Sequence, residues 1–428
     1  MSTEPRAAGG RLGPFRHRSY VAYWLAVAIS SLGTWLSAVA GSIYVYELTR
    51  STFSVGVFNF AGFVPILLFS VWGGQISDRF DRRTVVWTTH AVSVAIAAVL
   101  AWLTIAGTAT EITLIVAMFL LNALWALGKP SLLSLVPNIV PREDLQDAVA
   151  LGSLAFMSGQ IAGPLIAAAA LAVSGAGLAF AINALTYVAP VVAMIVLARM
   201  GLAGRRSAAD RRAAAGEAAR TGASFVRRNT WLVGLLAGIV VTSMVMEIQR
   251  TVGPALASEK LGVDESNAAL ILAAQSVGSA ISYLLFVPIR KYGWLRRSAL
   301  VGLVIQGVGV IVAAVAPTLP IALAGFFLIG LGFAFCFPVL TAALQEATPD
   351  ELRGRVMSYH QLALLGHRPL TALIIGSVAA VSLQAGMLIW LLILPVGLLA
   401  IRTAWRRLPV QPHTTPIEVP PAAEPPLA

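Results

Sequence analysis

The sequence contains little charge. Asp, Glu, Lys and Arg make up only 11% of its 428 residues, whereas soluble domains carry about 25%. Hydrophobic residues make up 58%, and the mean hydropathy is +0.81. This composition excludes an ordinary soluble domain and predicts an integral membrane protein.

Cysteine and nucleotide-binding motifs are also scarce. Cys336 is the single cysteine, which excludes an internal disulfide and argues against a metal cluster. No Gly-x-x-x-x-Gly-Lys-Ser/Thr phosphate loop occurs, so nucleotide hydrolysis is not expected to supply energy. We expect no cofactor, no metal and no catalytic site. The polar, basic first eighteen residues precede an apolar run too long for a signal-peptide core, so we expect no cleaved signal peptide.

Long runs without charge are what the sequence has instead. A membrane-spanning helix needs about 20 apolar residues. Two runs are long enough for two spans each, with turns at Ser174-Gly175-Ala176-Gly177 and Pro317-Thr318-Leu319-Pro320. We therefore expect an all-α integral membrane protein with twelve transmembrane helices in two pseudo-symmetric six-helix bundles. The charge-free runs are residues 19–46, 51–77, 84–110, 148–198, 266–289, 298–345 and 369–401.

The distribution of positive charge predicts the topology. With an inner amino terminus and twelve crossings, most of the 30 lysines and arginines fall in inner loops, and only Arg50 and Lys260 fall in outer loops. This is the positive-inside pattern. The net charge of +11 therefore reflects membrane topology and not nucleic-acid binding. We expect a multi-pass protein of the cytoplasmic (inner) membrane with both termini in the cytoplasm.

The two halves of the chain resemble each other. KPSLLSLVPNIVP at 129–141 and FPVLTAALQEATP at 337–349 carry prolines at one common offset and are followed by PREDL and PDEL. Parallel six-helix repeats are the plan of major facilitator transporters. The expected organisation is a cytoplasmic segment at 1–18, bundles at 19–198 and 231–405, a linker at 199–230 that could include a surface helix, and a disordered tail at 406–428.

Two motifs point to the same superfamily. GGQISDRFDRR at 73–83 resembles its cytoplasmic gating signature, although Asp81 replaces the usual second glycine and the second-half counterpart IRKYGWLRR lacks the acid. GQIAGPLIAA at 159–168 resembles its antiporter signature, with two alanines where glycines are usual. The alternatives are a charged loop set by topology and ordinary small-residue helix packing. The gating residues are Gly74, Asp78, Arg79, Arg82 and Arg83, and the antiporter-like residues are Gly159, Gly163 and Pro164.

Five phrases make the resemblance more specific. Over residues 14–405 the chain resembles the enterobactin-exporter and macrolide-efflux branch of the major facilitator superfamily, through SSLGTW, VYELT, DRFDRR, VPREDL and DELRGRVMS. The resemblance implies a proton-driven exporter of siderophores, macrolides or other drugs. It also implies that spans 1, 4, 7 and 10 line a central cavity flanked by spans 2, 5, 8 and 11. One departure is Leu124, which stands where proton-coupled drug antiporters carry an arginine in span 4.

Charged residues inside spans are the candidate functional residues, because a charge near the bilayer centre costs at least about 2.5–3.5 kcal/mol. Glu247 is the only deeply placed acid, and Arg250 follows on the same helix face. We expect a Glu247–Arg250 pair, serving either proton coupling or the stability of span 7. Lys129 either contributes to the site or extends to the cytoplasm. Arg368, with His367 beside it, lies deep in span 11 and is expected to bind a substrate anion.

These inferences predict a secondary transporter that exports an amphipathic small molecule by alternating access, in exchange for protons. Its partners would be that substrate, protons and the lipid bilayer, and we expect a monomer with no nucleic acid bound. Two alternatives stay open: a proton-coupled importer and a non-transporting membrane sensor of the same fold.

Overall fold

The computed structural model describes residues 12–201, 229–291 and 295–408. Most of the predicted amino-terminal segment, linker and carboxyl-terminal tail lies outside the described residues, as does the surface helix expected in the linker. The described part is helical and contains no β-strand. The segments are α1 Arg18–Thr49, α2 Thr52–Arg79, α3 Arg82–Ile105, α4 Glu111–Leu133, α5 and α6 from Leu145 to Arg199, α7 Thr230–Lys260, α8 Ala268–Lys291, α9 Leu295–Val315, α10 Leu319–Glu346, α11 Asp350–Leu365 with Arg368–Val381, and α12 Leu383–Arg407.

The expected turns within the two longest apolar runs are present. Between α5 and α6, Ser174 has φ −154° and Gly175 has φ 71°, a conformation that favours glycine. This places α5 at residues 145–173 and α6 at 176–199. Likewise α9 ends at Val315 and α10 begins at Leu319. Both predicted turn positions are confirmed.

The membrane-spanning character is confirmed at the level of helix length and apolarity. Ten segments of the described chain are long and apolar enough to cross a membrane. One of them, Arg142–Arg199, is counted as a single segment although it contains the break at Gly175. The 24-residue helix Ala268–Lys291 is not among the ten. The all-α membrane architecture stands, while the exact count of twelve crossings in two bundles stays a prediction.

The buried core lies mainly in three clusters. One is formed by residues between 231 and 405, and a second by residues between 20 and 197. A third combines residues of α1 to α6 with Ala255, Ala268, Ala269 and Leu272 from α7 and α8. The first two clusters stabilise each part of the chain separately, and the third joins the parts.

Candidate functional site

The embedded charges lie where two helices are irregular. In α7, Val245–Glu247 forms a 3-10 turn before the α-helical segment Ile248–Ala255, and every residue from 245 to 255 is buried. Pro254 within that segment has no N–H to donate to the carbonyl four residues earlier. In α11, the helix ends at Leu365 and restarts at Arg368. Short 3-10 stretches inside helices often mark functional hinges.

These two irregular points meet in a buried ion pair. Nε of Arg368 lies 3.4 Å from Oε1 of Glu247, and the side chains are 5% and 0% exposed. The contact lacks hydrogen-bond geometry, and both Glu247 oxygens are buried without a hydrogen-bond donor. The expected pairing of Glu247 with Arg250 is therefore wrong. The carboxylate of Glu247 has its counter-charge on α11, because Arg250 extends away toward aromatic rings.

Arg250 packs against α1 and α2. Its guanidinium carbon lies 4.8 Å from the ring centroid of Trp35 and 5.5 Å from that of Phe63. Arg368 also contacts Phe63, at 5.1 Å. Within the described residues, no carboxylate forms an ion pair with Arg250. Two arginines from the second half of the chain thus meet one aromatic ring from the first half, in contacts favoured by the ring quadrupole.

A small cavity of about 50 Å³ adjoins this cluster. That volume holds a few water molecules and is far below the roughly 300–1,000 Å³ of drug-sized sites. Several polar atoms around it are buried without a hydrogen-bond partner, a costly arrangement unless a ligand or water completes it. They are Trp35 Nε1, Gln249 Oε1, Arg250 Nε, Gln275 Oε1 and Arg368 Nε.

Sequence reasoning missed part of this lining. Gln160, Gln249 and Gln275 line the cavity beside Arg250, and isolated amides inside apolar runs are a signal that could have identified them. Nothing in the sequence singled out Phe63. Its role depends on the packing of α2 against α7 and α11.

Lys129 lies away from the cavity, whereas His367 lies beside the ion pair. The ammonium of Lys129 lies 4.1 Å from the ring centroid of Trp125 and 5.4 Å from that of Phe156, and Lys129 does not line the cavity. Nε2 of His367 lies 2.7 Å from Oγ of Ser243. His367 therefore connects α11 to α7 beside the ion pair. The structure brings Glu247, Arg250 and Arg368 together but not Lys129.

The gating-like loop joins α2 to α3. Arg82 is buried, and its Nη1 donates to the carbonyl of Ser134 at 2.7 Å, at the carboxyl end of α4, where positive charge is favourable. Arg83 pairs with Asp81 at 3.4 Å. Asp78 and Arg79 are exposed, and Arg79 borders a surface groove.

Asp81, the departure from the superfamily pattern, caps α3. Its side chain accepts hydrogen bonds from the backbone N–H groups of Arg83 and Thr84. Burial raises the pKa of Asp81, but the hydrogen bonds and charge of Arg83 outweigh it and leave the pKa below its usual value. The carboxylate therefore stabilises the start of α3 in its charged form.

Close packing of the gating-like motif against α4 occurs at Gly73 and not at Gly74. A Cβ added at Gly74 would meet no atom within 4 Å, whereas one at Gly73 would overlap the backbone of Ala126 and Leu127 on α4. The close helix approach thus belongs to the neighbouring glycine.

The antiporter-like residues pack α5 against α1. A Cβ at Gly159 would overlap Ser31, and one at Gly163 would lie 2.6 Å from Cβ of Trp35. Pro164 is buried and borders the cavity. These positions bring the two helices close and set the position of Trp35, as small-residue packing in membranes does.

A second set of contacts, which we call the end closure, joins the halves where α1 and α7 end. The hydroxyl of Tyr46 donates to Glu259, and Arg50 pairs with Glu265. Beside them, Oγ1 of Thr52 donates to the carbonyl of Gly376 at 3.1 Å. The third core cluster lies at the same end, so the two halves are packed together there.

Known transporters are similar to this chain in sequence. The Staphyloferrin A transporter of Staphylococcus aureus is 31% identical over 157 residues, which cover 36% of this chain and 40% of that protein, less than half its length. The Multidrug efflux pump Tap of Mycolicibacterium fortuitum is 24% identical over 388 residues, covering 88% and 92%.

Solved structures agree on the fold. A bacterial homologue of the human lysosomal transporter Spinster superposes with a TM-score of 0.73 at 13% identity, covering 92% of this chain and 97% of that one. The peptide transporter POT superposes with a TM-score of 0.71 at 15% identity, covering 92% and 95%. The sequence model of a family described as "Transmembrane secretion effector" matches residues 9–424. The chain is therefore a transport protein, not an enzyme, and belongs to the transmembrane secretion effector family of the major facilitator superfamily.

Proposed function

We propose that this protein exports an amphipathic small molecule, such as an antibiotic or a siderophore, across the cytoplasmic membrane by alternating access coupled to proton entry. The observation that supports it most directly is the charged cluster of Glu247, Arg250 and Arg368 beside a cavity between the two halves. Charges at membrane depth are costly and mark transport pathways and proton relays. Efflux and siderophore transport among its relatives agree with this substrate class.

We also propose the full architecture: twelve crossings, two six-helix bundles, both termini in the cytoplasm and a monomer. Dividing Arg142–Arg199 at Gly175 and adding Ala268–Lys291 to the ten candidate spans supports twelve. With that topology the end closure lies on the outer side of the membrane. The present conformation is then closed outward, and rocking of the bundles would alternate the access.

Glu247 is the proposed proton-coupling residue. Its carboxylate is buried, lacks hydrogen-bond donors and depends on Arg368 for its counter-charge. Protonation would remove that ion pair and leave two arginines facing Phe63 without an acid. One proton thus changes a charge arrangement of the second half that contacts aromatic rings of the first half, which is how a local charge event can bias a two-state element.

The substrate must fit the charge of the cluster. Arg250 and Arg368 against Glu247 leave one net positive charge at the cavity, and Lys129 adds none because it lies elsewhere. An unpaired buried charge requires an opposite partner. The cluster therefore favours neutral or anionic molecules over cations, and cavity expansion must accompany binding of anything drug-sized.

Accumulation of labelled amphipathic antibiotics in cells with and without the protein tests this function. Export lowers accumulation, and a protonophore reverses the effect. Import raises accumulation, and a protonophore again reverses the effect. A non-transporting sensor leaves accumulation unchanged, with or without the protonophore. No change across neutral, acidic and basic compounds would refute export of this class.

A further inference from the structure

We propose that Arg250 is the anion anchor of the cavity: its guanidinium binds a carboxylate or similar oxyanion of the transported molecule. The inference rests on the proposed function and deepens it, because it names the substrate as an amphipathic acid. It also moves the anion-binding role from Arg368, where the sequence suggested it, to Arg250, which pairs with no carboxylate among the described residues.

The charge balance selects Arg250. Glu247 is the acid of the cluster and pairs with Arg368. Arg250 is only 7% exposed, no described carboxylate pairs with it, and its Nε has no hydrogen-bond acceptor. Ring contacts offset part of the cost of burying a cation, but an isolated buried charge still requires an opposite charge. The missing negative charge is therefore expected on the ligand.

The surroundings of Arg250 are compatible with such a ligand. A guanidinium can stack its faces on aromatic rings and still present N–H groups at its edge, in the geometry that matches a carboxylate. Trp35 and Phe63 lie within cation–π distance of the Arg250 guanidinium, and Arg250 lines the cavity. The indole Nε1 of Trp35, buried without an acceptor, is a second available donor.

The remaining lining suits the other part of such a molecule. Met246, Leu272 and Phe333 provide apolar surface, and the amide oxygens of Gln249 and Gln275 are unpaired acceptors. An acid with an apolar ring or chain and a few hydrogen-bond donors meets all these groups. A cation would meet acceptors but also two guanidinium groups.

The alternative is that Arg250 only holds the two halves together through its ring contacts. A matched pair of probes separates the two roles: 2-naphthoate and its uncharged isostere 2-naphthamide. Their binding to the full-length protein in lipid nanodiscs is measured by equilibrium dialysis, with empty nanodiscs subtracted. The variants are Arg250→Gln, Arg250→Lys and, as a matched control for lost positive charge, Arg402→Gln at an exposed position of α12.

The expected result is preferential binding of naphthoate by the wild type, by about tenfold or more, the scale of a charge-assisted hydrogen bond. Arg250→Gln should remove that preference and change naphthamide binding much less than naphthoate binding, because the uncharged amide gains no charge–charge attraction from the guanidinium. Arg250→Lys should keep a reduced preference, because it retains the charge and loses the planar edge. Arg402→Gln should behave as the wild type.

Three results would overturn the assignment: no preference in the wild type, a full preference retained in Arg250→Gln, or equal loss of both probes in Arg250→Gln and Arg250→Lys. The last result indicates a structural role. Because binding is measured without transport, a protein that binds naphthoate through Arg250 but exports nothing would refute the proposed function alone.

Discussion

Replacing Glu247 by glutamine should destabilise the protein because it leaves Arg368 buried without a counter-charge. At the observed 3.4 Å, an effective dielectric constant near 20 gives an attraction of about 5 kcal/mol. Removing one member of a buried pair typically costs about 3–5 kcal/mol. We expect the lower end, about 3 kcal/mol, because Arg368 borders the cavity and keeps its contact with Phe63.

The double variant provides the test. Glu247→Gln with Arg368→Gln removes both charges, and replacing a buried ion pair by neutral groups is often close to neutral. Its thermal midpoint in detergent should therefore lie above that of either single variant. Glu143→Gln, at an exposed position, controls for the chemical change. If the losses of the two single variants simply add in the double variant, the pair contributes no coupling energy.

Transport by the single variant Glu247→Gln tests whether Glu247 carries the coupling proton. In proteoliposomes with an imposed pH gradient, Glu247→Gln should no longer concentrate substrate, while exchange of substrate between the two sides continues. If Glu247→Gln still concentrates substrate against its gradient, the residue is structural and another group must carry the proton.

Five further substitutions test the helix contacts, the gating-like loop and the end closure. Gly73→Ala should lower the yield of folded protein because its Cβ overlaps the backbone of α4. Gly74→Ala has open space around it and should stabilise the fold by up to the helix-propensity gain of about 1 kcal/mol, seen as a higher thermal midpoint. Asp81→Ala should cost about 1 kcal/mol through the lost α3 cap. Because the pKa of Asp81 is lowered in the folded state, this difference should be complete at neutral pH and fade as the pH falls below about 3.9, where the unfolded carboxyl is protonated. Asp78→Asn should reduce transport with membrane insertion intact, and normal transport would contradict a gating role. Tyr46→Phe weakens the end closure, so an impermeant thiol reagent should label a cysteine placed in the cavity faster, in a background without the native cysteine.

Features encoded by neighbouring residues could be predicted from the sequence. The length of an apolar run determines whether it can span the membrane, and Gly175 and Pro317 mark the turns inside the longest runs. The gating-like loop is recognisable because one contiguous stretch, residues 73–83, resembles the superfamily signature. None of these inferences required knowledge of which helices touch.

Features that depend on distant contacts could not be predicted. Helical spacing suggested Arg250 as the partner of Glu247, but the 3-10 turn at Val245–Glu247 and the restart of α11 at Arg368 join two distant segments instead. Adjacent glycines at 73 and 74 look equivalent in sequence, yet only one faces α4. Periodicity gives the face of a regular helix and fails where the helix is irregular.

The anion anchor and the coupling carboxylate constrain each other. Binding of an oxyanion at Arg250 would balance the cluster while Glu247 is charged, because two arginines then face two negative groups. By linkage, a proton and an anion that only sense each other's charge assist each other's binding, which favours co-transport. Antiport therefore requires that anion binding and protonation of Glu247 compete, and Arg368 can supply this competition. An anion at Arg250 reduces the repulsion between the two arginines that share Phe63. Arg368 then stays paired with Glu247, and its positive charge opposes protonation of the carboxylate. Separate pH-gradient and membrane-potential experiments distinguish these cases. Export of an acidic substrate driven by potential alone, and unchanged in Glu247→Gln, would show that the anion leaves without proton exchange.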